Sequence, residues 1–364
     1  MFERYMKMAI AQAKKAIGRV SPNPMVGAVI VKKGEIVGLG YHHRAGSPHA
    51  EINALRKAGK KAKNAELYVN LEPCCHYGRT PPCVDAIIES GIKQVIIGMK
   101  DPNPLVCGKG AAQLRAVGIA THTGFLEEEC GKLNEIYIKY ITRKVPFVIL
   151  KVASSLDGKI ATKSGDSRGI SNNESLHCVH RLRDQCDAIM VGIGTIQADD
   201  PLLTTRLKGK AGKDPIRVIV DSSLKISSGA RVFNVRSNAG VIFATTRRAA
   251  RRKKERLEEL GVRVVTVGSA GGKVDLKRLM IALGKFEITS LLIEGGTEIT
   301  TSALKGGIVD KILFFYAPKI LGGRTARGIT AGEGVEYVRQ ALNVHDLKVR
   351  KKGEDILIEG YIKR

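Results

Sequence analysis

His49-Ala50-Glu51, followed by Pro73-Cys74 and then Pro82-Cys83, restricts what this chain can fold into more than any other feature. An imidazole and two thiolates suit Zn²⁺, and three protein ligands leave the fourth tetrahedral position open, as catalytic zinc sites do. Proline is tolerated at the first position of a helix, so the sequence predicts a helix over 48–58. In its first turn His49 and Glu51 can both reach a point off the helix end. Leu67-Tyr-Val-Asn-Leu71 reads as a strand leading to Cys74, and Cys83 begins a second helix over 82–90. The fold must therefore bring two helix starts and a strand end to one point. Glu51 is not needed as a ligand, so it is free to take a proton from a water and pass protons to a leaving nitrogen. Ordinary buried thiols and a capping histidine would account for each residue alone, but not for their coincidence with the Glu and both prolines. A purely structural zinc would need a fourth protein ligand. His76 is near in sequence, although Cys74-Cys75-His76 is cramped.

The rest of the chain divides in two. Helices are expected at 3–17, 48–58, 82–90 and near 110–117. Strands are expected at 27–31, 36–39, 66–71, 94–97 and near 119–121, giving one sheet layered with helices. Phe125–Tyr140 reads as a helix leading out, and Arg143-Lys-Val-Pro146 as a boundary between domains 1–144 and 145–364. A length of 364 residues can bury two sizeable cores. In the second half, apolar runs begin at 146, 188, 216, 241, 262, 290 and 311, punctuated by helical stretches. This is the pattern of a mostly parallel α/β sheet, with ligands at the carboxyl ends of its strands.

Two glycine-bearing loops fall at such ends. Gly192-Ile-Gly194-Thr195-Ile-Gln197 misses the Rossmann fingerprint at its last position, and no acidic partner follows. Glu294-Gly295-Gly296-Thr297-Glu298 sits between a strand and a helix. Its glycines can bring backbone N–H groups and a helix N-terminus to a phosphate, or simply make a tight turn.

The formal net charge of +25 raises the question of a nucleic-acid partner. Much of the excess lies in the runs Lys57–Lys63 and Arg247–Arg256, which read as solvated helix faces, and phosphorylated small molecules would also benefit from a positive field. No apolar run approaches membrane-spanning length, and the N-terminus lacks a secretion signal's apolar core. Seven cysteines with no regular framework fit a reducing cytoplasm. Cys75, Cys107, Cys130, Cys178 and Cys186 are read as small core or surface residues, Cys75 being the one able to compete for zinc.

Pro73-Cys-Cys-His-Tyr-Gly-Arg-Thr-Pro-Pro-Cys83 places eight residues between the ligand cysteines, unlike the C-x-x-C spacing of nucleic-acid and cytidine deaminases. With Ser21-Pro-Asn-Pro-Met-Val-Gly27 and Asp101-Pro-Asn-Pro104, it resembles the deaminase half of the bifunctional deaminase-reductase family of riboflavin biosynthesis. The segments Lys151–Gly158, Thr195–Leu202, Asp221-Ser222 and Glu294–Gly296 resemble that family's reductase half, so the likeness covers nearly the whole chain.

The resemblance implies an α/β protein with an N-terminal cytidine-deaminase-like three-layer domain and a C-terminal dihydrofolate-reductase-like domain. It implies two cofactors, Zn²⁺ and NADPH, and two successive reactions on a small phosphorylated pyrimidine, deamination and then reduction of a ribosyl to a ribityl chain. In the first site, Asn23, His42 and Arg79 are expected to hold substrate around the zinc ligands His49, Cys74 and Cys83 and the catalytic Glu51. In the second, Ala153, Gly169, Thr195, Asp199, Ser222, Gly295 and Gly296 are expected along NADPH. Lys151, Ser167, Arg183, Leu202, Arg206 and Glu294 are expected at the substrate, with Arg183 and Arg206 gripping phosphate. Family members often carry Trp where Gly169 stands, and this chain has no Trp. A cytoplasmic homo-oligomer without nucleic-acid or membrane partners is expected; the rival reading is a nucleic-acid base deaminase with a nucleotide-binding C-terminal module.

Overall fold

The computed structural model describes residues 2–78, 80–209 and 211–363. The chain forms two compact units, Met1–Lys144 and Val145–Arg364.

The first unit runs α1 (Phe2–Lys14), β1 (Gly27–Lys32), β2 (Glu35–Tyr41), α2 (Ala50–Ala58), β3 (Glu66–Leu71), α3 (Cys83–Glu89), β4 (Gln94–Met99), α4 (Lys109–Ala116), β5 (Ala120–Thr123), α5 (Glu127–Leu133) and α6 (Glu135–Arg143). Its sheet has the order β2-β1-β3-β4-β5. β1 is antiparallel to both its neighbours, and β3, β4 and β5 are parallel. α1 buries Tyr5, Met6, Ala9, Ile10 and Ala13, the spacing of one helical face, against β1 and β3. Two glycines set the position of α2. A Cβ on Gly38 would lie 2.4 Å from the Ala54 carbonyl oxygen, and one on Gly40 would lie 2.2 Å from that of Ala50. Only bare backbone at these two positions lets α2 rest directly on β2, which fixes where its amino end points.

The helix expected over 125–140 is two helices, α5 and α6, meeting at Asn134. The buried Asn134 side chain accepts from the Met25 N–H (2.8 Å) and donates to the Met25 carbonyl (3.1 Å). Asn70 supports the same segment, accepting from Gly27 N–H (2.8 Å) and donating to the Met25 carbonyl (3.0 Å). These two amides anchor the stretch that carries Asn23.

The second unit runs β6 (Phe147–Ser155), β7 (Lys159–Ala161), α7 (Asn173–Gln185), β8 (Ala188–Gly192), α8 (Ile193–Asp199), β9 (Ile216–Val220), β10 (Val241–Thr245), α9 (Arg251–Glu259), β11 (Arg263–Thr266), β12 (Ser269–Ala270), β13 (Lys273–Val274), α10 (Leu276–Lys285), β14 (Ser290–Ile293), α11 (Thr297–Gly306), β15 (Lys311–Ala317), β16 (Arg327–Gly328), β17 (Val344–Lys352) and β18 (Asp355–Ile362). Nine strands form one sheet in the order β11-β10-β9-β8-β14-β6-β15-β18-β17. Pairing is parallel from β11 through β15 and antiparallel at β18 and β17. The parallel strands end on the same edge, so the turns after β6, β8, β9 and β14 gather there.

Candidate active sites

In the first unit the three zinc-type ligands meet. His49 Nδ1 and the Cys74 and Cys83 sulfurs all lie within 4.8 Å of one another. His49 Nδ1 is 3.2 Å from Cys83 Sγ and 3.5 Å from Cys74 Sγ. α2 starts at Ala50 rather than Pro48, and His49 is its N-cap in extended conformation (φ −70°, ψ 168°), which turns the imidazole off the helix end. Cys83 opens α3, and its backbone N–H donates to Cys74 Sγ at 3.3 Å. Hydrogen bonding to Cys83, and next to His49, brings the Cys74 thiol down to about 4, while Cys83, sharing its proton with Cys74, is pushed up. A site that already favours thiolate fits a soft divalent cation.

Glu51 is 3% exposed, and its Oε2 has no hydrogen-bond partner. Burial raises its carboxyl to about 7. An orphaned carboxylate oxygen costs folding energy that an ordinary core position would avoid. Its location, two residues from the ligand His49 in the first turn of α2, marks a group kept for a proton. The other two candidate metal binders stand apart. Cys75 Sγ faces the Leu105 carbonyl at 3.9 Å, and neither it nor His76 joins the cluster among the described residues. Three ligands and no fourth is the pattern of an open, catalytic zinc.

Around this centre Asn23 Nδ2 donates to His42 Nε2 (3.0 Å), leaving His42 Nδ1–H to donate to the Pro48 carbonyl (3.2 Å). Burial depresses the His42 pKa, so this imidazole is neutral and its tautomer is fixed. The His42 and His49 rings meet edge to face at 5.2 Å. Arg79 lies outside the described residues. Thr80, which the motif contains but sequence reasoning did not single out, places its hydroxyl 3.2 Å from His49 Nε2.

In the second unit a cavity of about 760 Å³ opens at the carboxyl ends of the parallel strands. Ala153, Thr195, Asp199, Gly295 and Gly296 line it, as do Lys151, Ser167 and Glu294. Gly296 caps α11 and donates its N–H to Thr195 Oγ1 at 3.2 Å, and a Cβ on Gly295 would lie 1.9 Å from Ile299 Cγ2. Backbone there is bare and close-packed, as a cradle for a dinucleotide's phosphates must be.

Five expected residues do not line the cavity. Gly169 has φ +71°, its carbonyl accepts from Lys319 Nζ, and the space where a side chain would stand is open. Ser222 lies past the end of β9, its hydroxyl accepting from Val274 N–H at 3.2 Å. Leu202 is half-buried. Arg183, expected to grip phosphate, turns its fork onto Glu294 instead (Nε to Oε1 2.7 Å, Nη2 to Oε2 3.0 Å), with Nη1 donating to the Thr204 carbonyl at 3.0 Å. Arg206 is exposed, and its Nη1 donates to Thr204 Oγ1 at 3.2 Å. Lys151 Nζ stands 3.8 Å from Glu294 Oε2, its pKa lowered by burial. Sequence reasoning missed Arg327 and Thr297, which also line the cavity. Thr297 could have been found as the first residue of the helix after Gly295-Gly296, whereas Arg327 sits on a two-residue strand that leaves no pattern.

Comparison with known proteins gives two family matches. Residues 2–99 match the cytidine and deoxycytidylate deaminase zinc-binding region, and residues 146–358 match the RibD C-terminal domain. The riboflavin biosynthesis protein RibD of Aquifex aeolicus is 45% identical over 357 residues, covering 98% of this chain and 97% of that protein. Among solved structures, Acinetobacter baumannii RibD in its form 1 has a TM-score of 0.90 at 36% identity, covering 100% of this chain and 99% of that one. The diaminohydroxyphosphoribosylaminopyrimidine deaminase/5-amino-6-(5-phosphoribosylamino)uracil reductase of Thermotoga maritima has a TM-score of 0.85 at 40% identity, with the same coverage.

Proposed function

The chain belongs to the bifunctional deaminase-reductase family of riboflavin biosynthesis, and from that premise we propose that its two compact units divide the work, residues 1–144 deaminating and residues 145–364 reducing. The protein is a zinc-dependent aminohydrolase and an NADPH-dependent oxidoreductase. It deaminates 2,5-diamino-6-ribosylamino-4(3H)-pyrimidinone 5′-phosphate and then reduces the ribosyl to a ribityl chain. The orphaned Glu51 oxygen beside three convergent ligands is the observation that carries the first assignment.

His49 Nδ1 and the two thiolates are the groups that would hold Zn²⁺, which supplies a Lewis acid that lets water attack at neutral pH. Glu51 takes a proton from the attacking water as its oxygen bonds to the amino-bearing ring carbon. The same carboxyl then delivers protons to the nitrogen that leaves as ammonia, so the bond formed is C–O and the bond broken is C–N. The neutral His42 and Asn23 present fixed polar edges to the pyrimidine. NADPH, when bound in the second unit, would supply the hydride for reduction of the opened ribosyl imine, and solvent the proton that completes the amine. Gly295, Gly296 and Thr195 are the groups that would hold the cofactor's phosphates there, while Lys151, Ser167 and Glu294 would orient the substrate.

The finer partners are part of the proposal. β17 forms the edge of the nine-stranded sheet with Leu347 58% and Val349 66% exposed, which supports a homo-oligomer. The basic run at α9 reads as a solvated face, and the proposal includes no nucleic-acid partner. All seven cysteines are free, which supports a cytoplasmic setting. No helix among the described residues is long and apolar enough to cross a membrane.

The test follows ammonia release and NADPH oxidation together. Wild type supplied with the diaminopyrimidinone ribotide gives both signals. Glu51→Gln gives neither, yet oxidises NADPH once the deaminated intermediate is supplied. Ammonia release by Glu51→Gln would overturn the assignment of Glu51, and failure to reduce supplied intermediate would overturn the division between units.

A further inference from the structure

The segment after α8 has no helix or strand over its described residues 200–209 and 211–214, yet it carries Leu202 and Arg206, which the family resemblance expects at the substrate. Three side chains of one face of α7 hold it. His180 Nδ1 accepts the Arg206 backbone N–H (3.2 Å), Arg183 Nη1 donates to the Thr204 carbonyl (3.0 Å), and Asp184 Oδ1 accepts the Lys213 N–H (2.8 Å). Spacings of three and four put these three residues on one side of the helix. Arg183 is at the same time committed to Glu294 at the cavity wall. Of the three, His180 is the one that grips Arg206 itself, whose guanidinium is exposed and bonds within the segment to Thr204 Oγ1. We propose that His180 is a positioning residue of the reductase site, fixing the backbone at Arg206 so that this guanidinium is aimed at the phosphorylated substrate.

The bond needs a lone pair on Nδ1, and the surroundings keep it there. Burial first, then the Arg183 and Arg206 cations, depress the His180 pKa to about 4, and Glu294 opposes this only in part. At neutral pH the imidazole is therefore uncharged, with its proton on Nε2. A second guanidinium-facing cation at this point would repel Arg206 rather than hold it. The segment has few other ties near Arg206. Thr205 N–H donates to Asp214 Oδ1 (2.7 Å) and its hydroxyl to the Lys213 carbonyl (2.8 Å), which close the segment on itself rather than onto α7. Loss of the His180 bond thus frees Arg206 without unfolding the loop.

This inference rests on the reading that Arg206 meets the substrate, and the experiment separates the two. Steady-state NADPH oxidation on the deaminated ribosyl intermediate is measured for wild type, Arg206→Ala, His180→Ala and His180→Gln, with NADPH affinity measured by fluorescence titration as a control for folding. Arg206→Ala is expected to raise KM at least about tenfold through loss of a charge-assisted contact. His180→Ala is expected to raise KM about fivefold, the worth of one neutral hydrogen bond, with kcat within about twofold and NADPH affinity unchanged. His180→Gln, whose Oε1 can accept the same N–H, is expected to recover most of the loss. An unchanged KM in Arg206→Ala would overturn the reading of the segment and the proposal with it. A raised KM in Arg206→Ala with wild-type KM in His180→Ala, or a Gln variant as impaired as Ala, would overturn the role of His180 alone.

Discussion

Glu294 is the residue whose replacement should cost the second unit most. Its carboxylate is 8% exposed and faces two cations, Arg183 at 2.7 Å and Lys151 at 3.8 Å, themselves 14% and 13% exposed. Burial alone would raise the Glu294 pKa, but Arg183 and then Lys151 outweigh it and hold the carboxyl below its usual range. Glu294→Gln keeps the shape and one acceptor for Arg183 yet takes from two buried cations the carboxylate they share. Breaking one partner out of a buried ion group costs ~3–5 kcal/mol, because the remaining charge has no water to return to. For a unit of this size each kcal/mol lowers the unfolding midpoint by about 2–4 °C, so the shift should be about 6–20 °C. Calorimetry on the full chain reads it, the second-unit transition being identified by its rise on adding NADPH. Lys151→Met in the Glu294→Gln background removes one of the stranded charges and should return at least ~1 kcal/mol, a coupling that two independent sites would not show. The acid side gives a sign to check. A carboxyl with a depressed folded pKa contributes stability above its unfolded value and loses it as pH falls through the folded one. Wild type should therefore lose second-unit stability relative to Glu294→Gln only below the ordinary carboxylate range near pH 4.5. A Glu294→Gln transition within ~1 kcal/mol of wild type at pH 7 would refute the reasoning, since it would mean water already reaches the two cations.

Other outcomes follow from single contacts. Thr80→Ala removes the partner of His49 Nε2 and should weaken zinc about ten- to hundredfold in a chelator competition, with Thr80→Ser close to wild type; equal affinities would show the bond does not orient the ligand. Glu51→Gln should lower the kcat of deamination by about 10²–10⁴ while zinc content, read by metal analysis, stays at one per chain; lost zinc would instead make Glu51 a ligand. Gly295→Ala forces a Cβ to within 1.9 Å of Ile299 Cγ2, so the loop must shift and NADPH should bind about tenfold more weakly by fluorescence titration, with partial recovery in Gly295→Ala/Ile299→Ala, which removes that Cγ2. Unaltered NADPH affinity in Gly295→Ala would place the cofactor's phosphates elsewhere.

The first site was legible because each of its parts is local. His49, Cys74 and Cys83 each sit at the start or end of an element whose own pattern announces it, and the prolines mark where the elements begin. The contacts between those parts left no such trace. Thr80 reaches His49 only through the shape of its loop, and Asn134 breaks a helix because of what it bonds to at Met25, a residue 109 positions away. The second site shows the same division. Glu294-Gly295-Gly296 is a local signal and lines the cavity, whereas the Arg183 fork closes on Glu294 across 111 positions, and charge type alone could not tell a phosphate grip from an ion pair. β17 went unread for a different reason. As an edge strand with most of its residues exposed on both faces, it needs no alternation of apolar and polar residues, and no apolar run marks it.

The two buried glutamates show how partnership separates chemistry from architecture. Glu51 and Glu294 are both nearly inaccessible, and both lie beside a cavity or a cluster of ligands. Glu294 has a cation on each side and is held ionised, so it has no proton to give and serves as a fixed negative wall that orients Lys151 and Arg183. Glu51 has one oxygen with no partner, and burial lifts its carboxyl to about 7, where it can both accept and release a proton. The fold withholds from Glu51 the neighbours it supplies to Glu294. Giving Glu51 a hydrogen-bond donor would therefore be expected to stabilise the first unit and to slow deamination together, the opposed pair of effects that a residue kept unsatisfied for its chemistry must show.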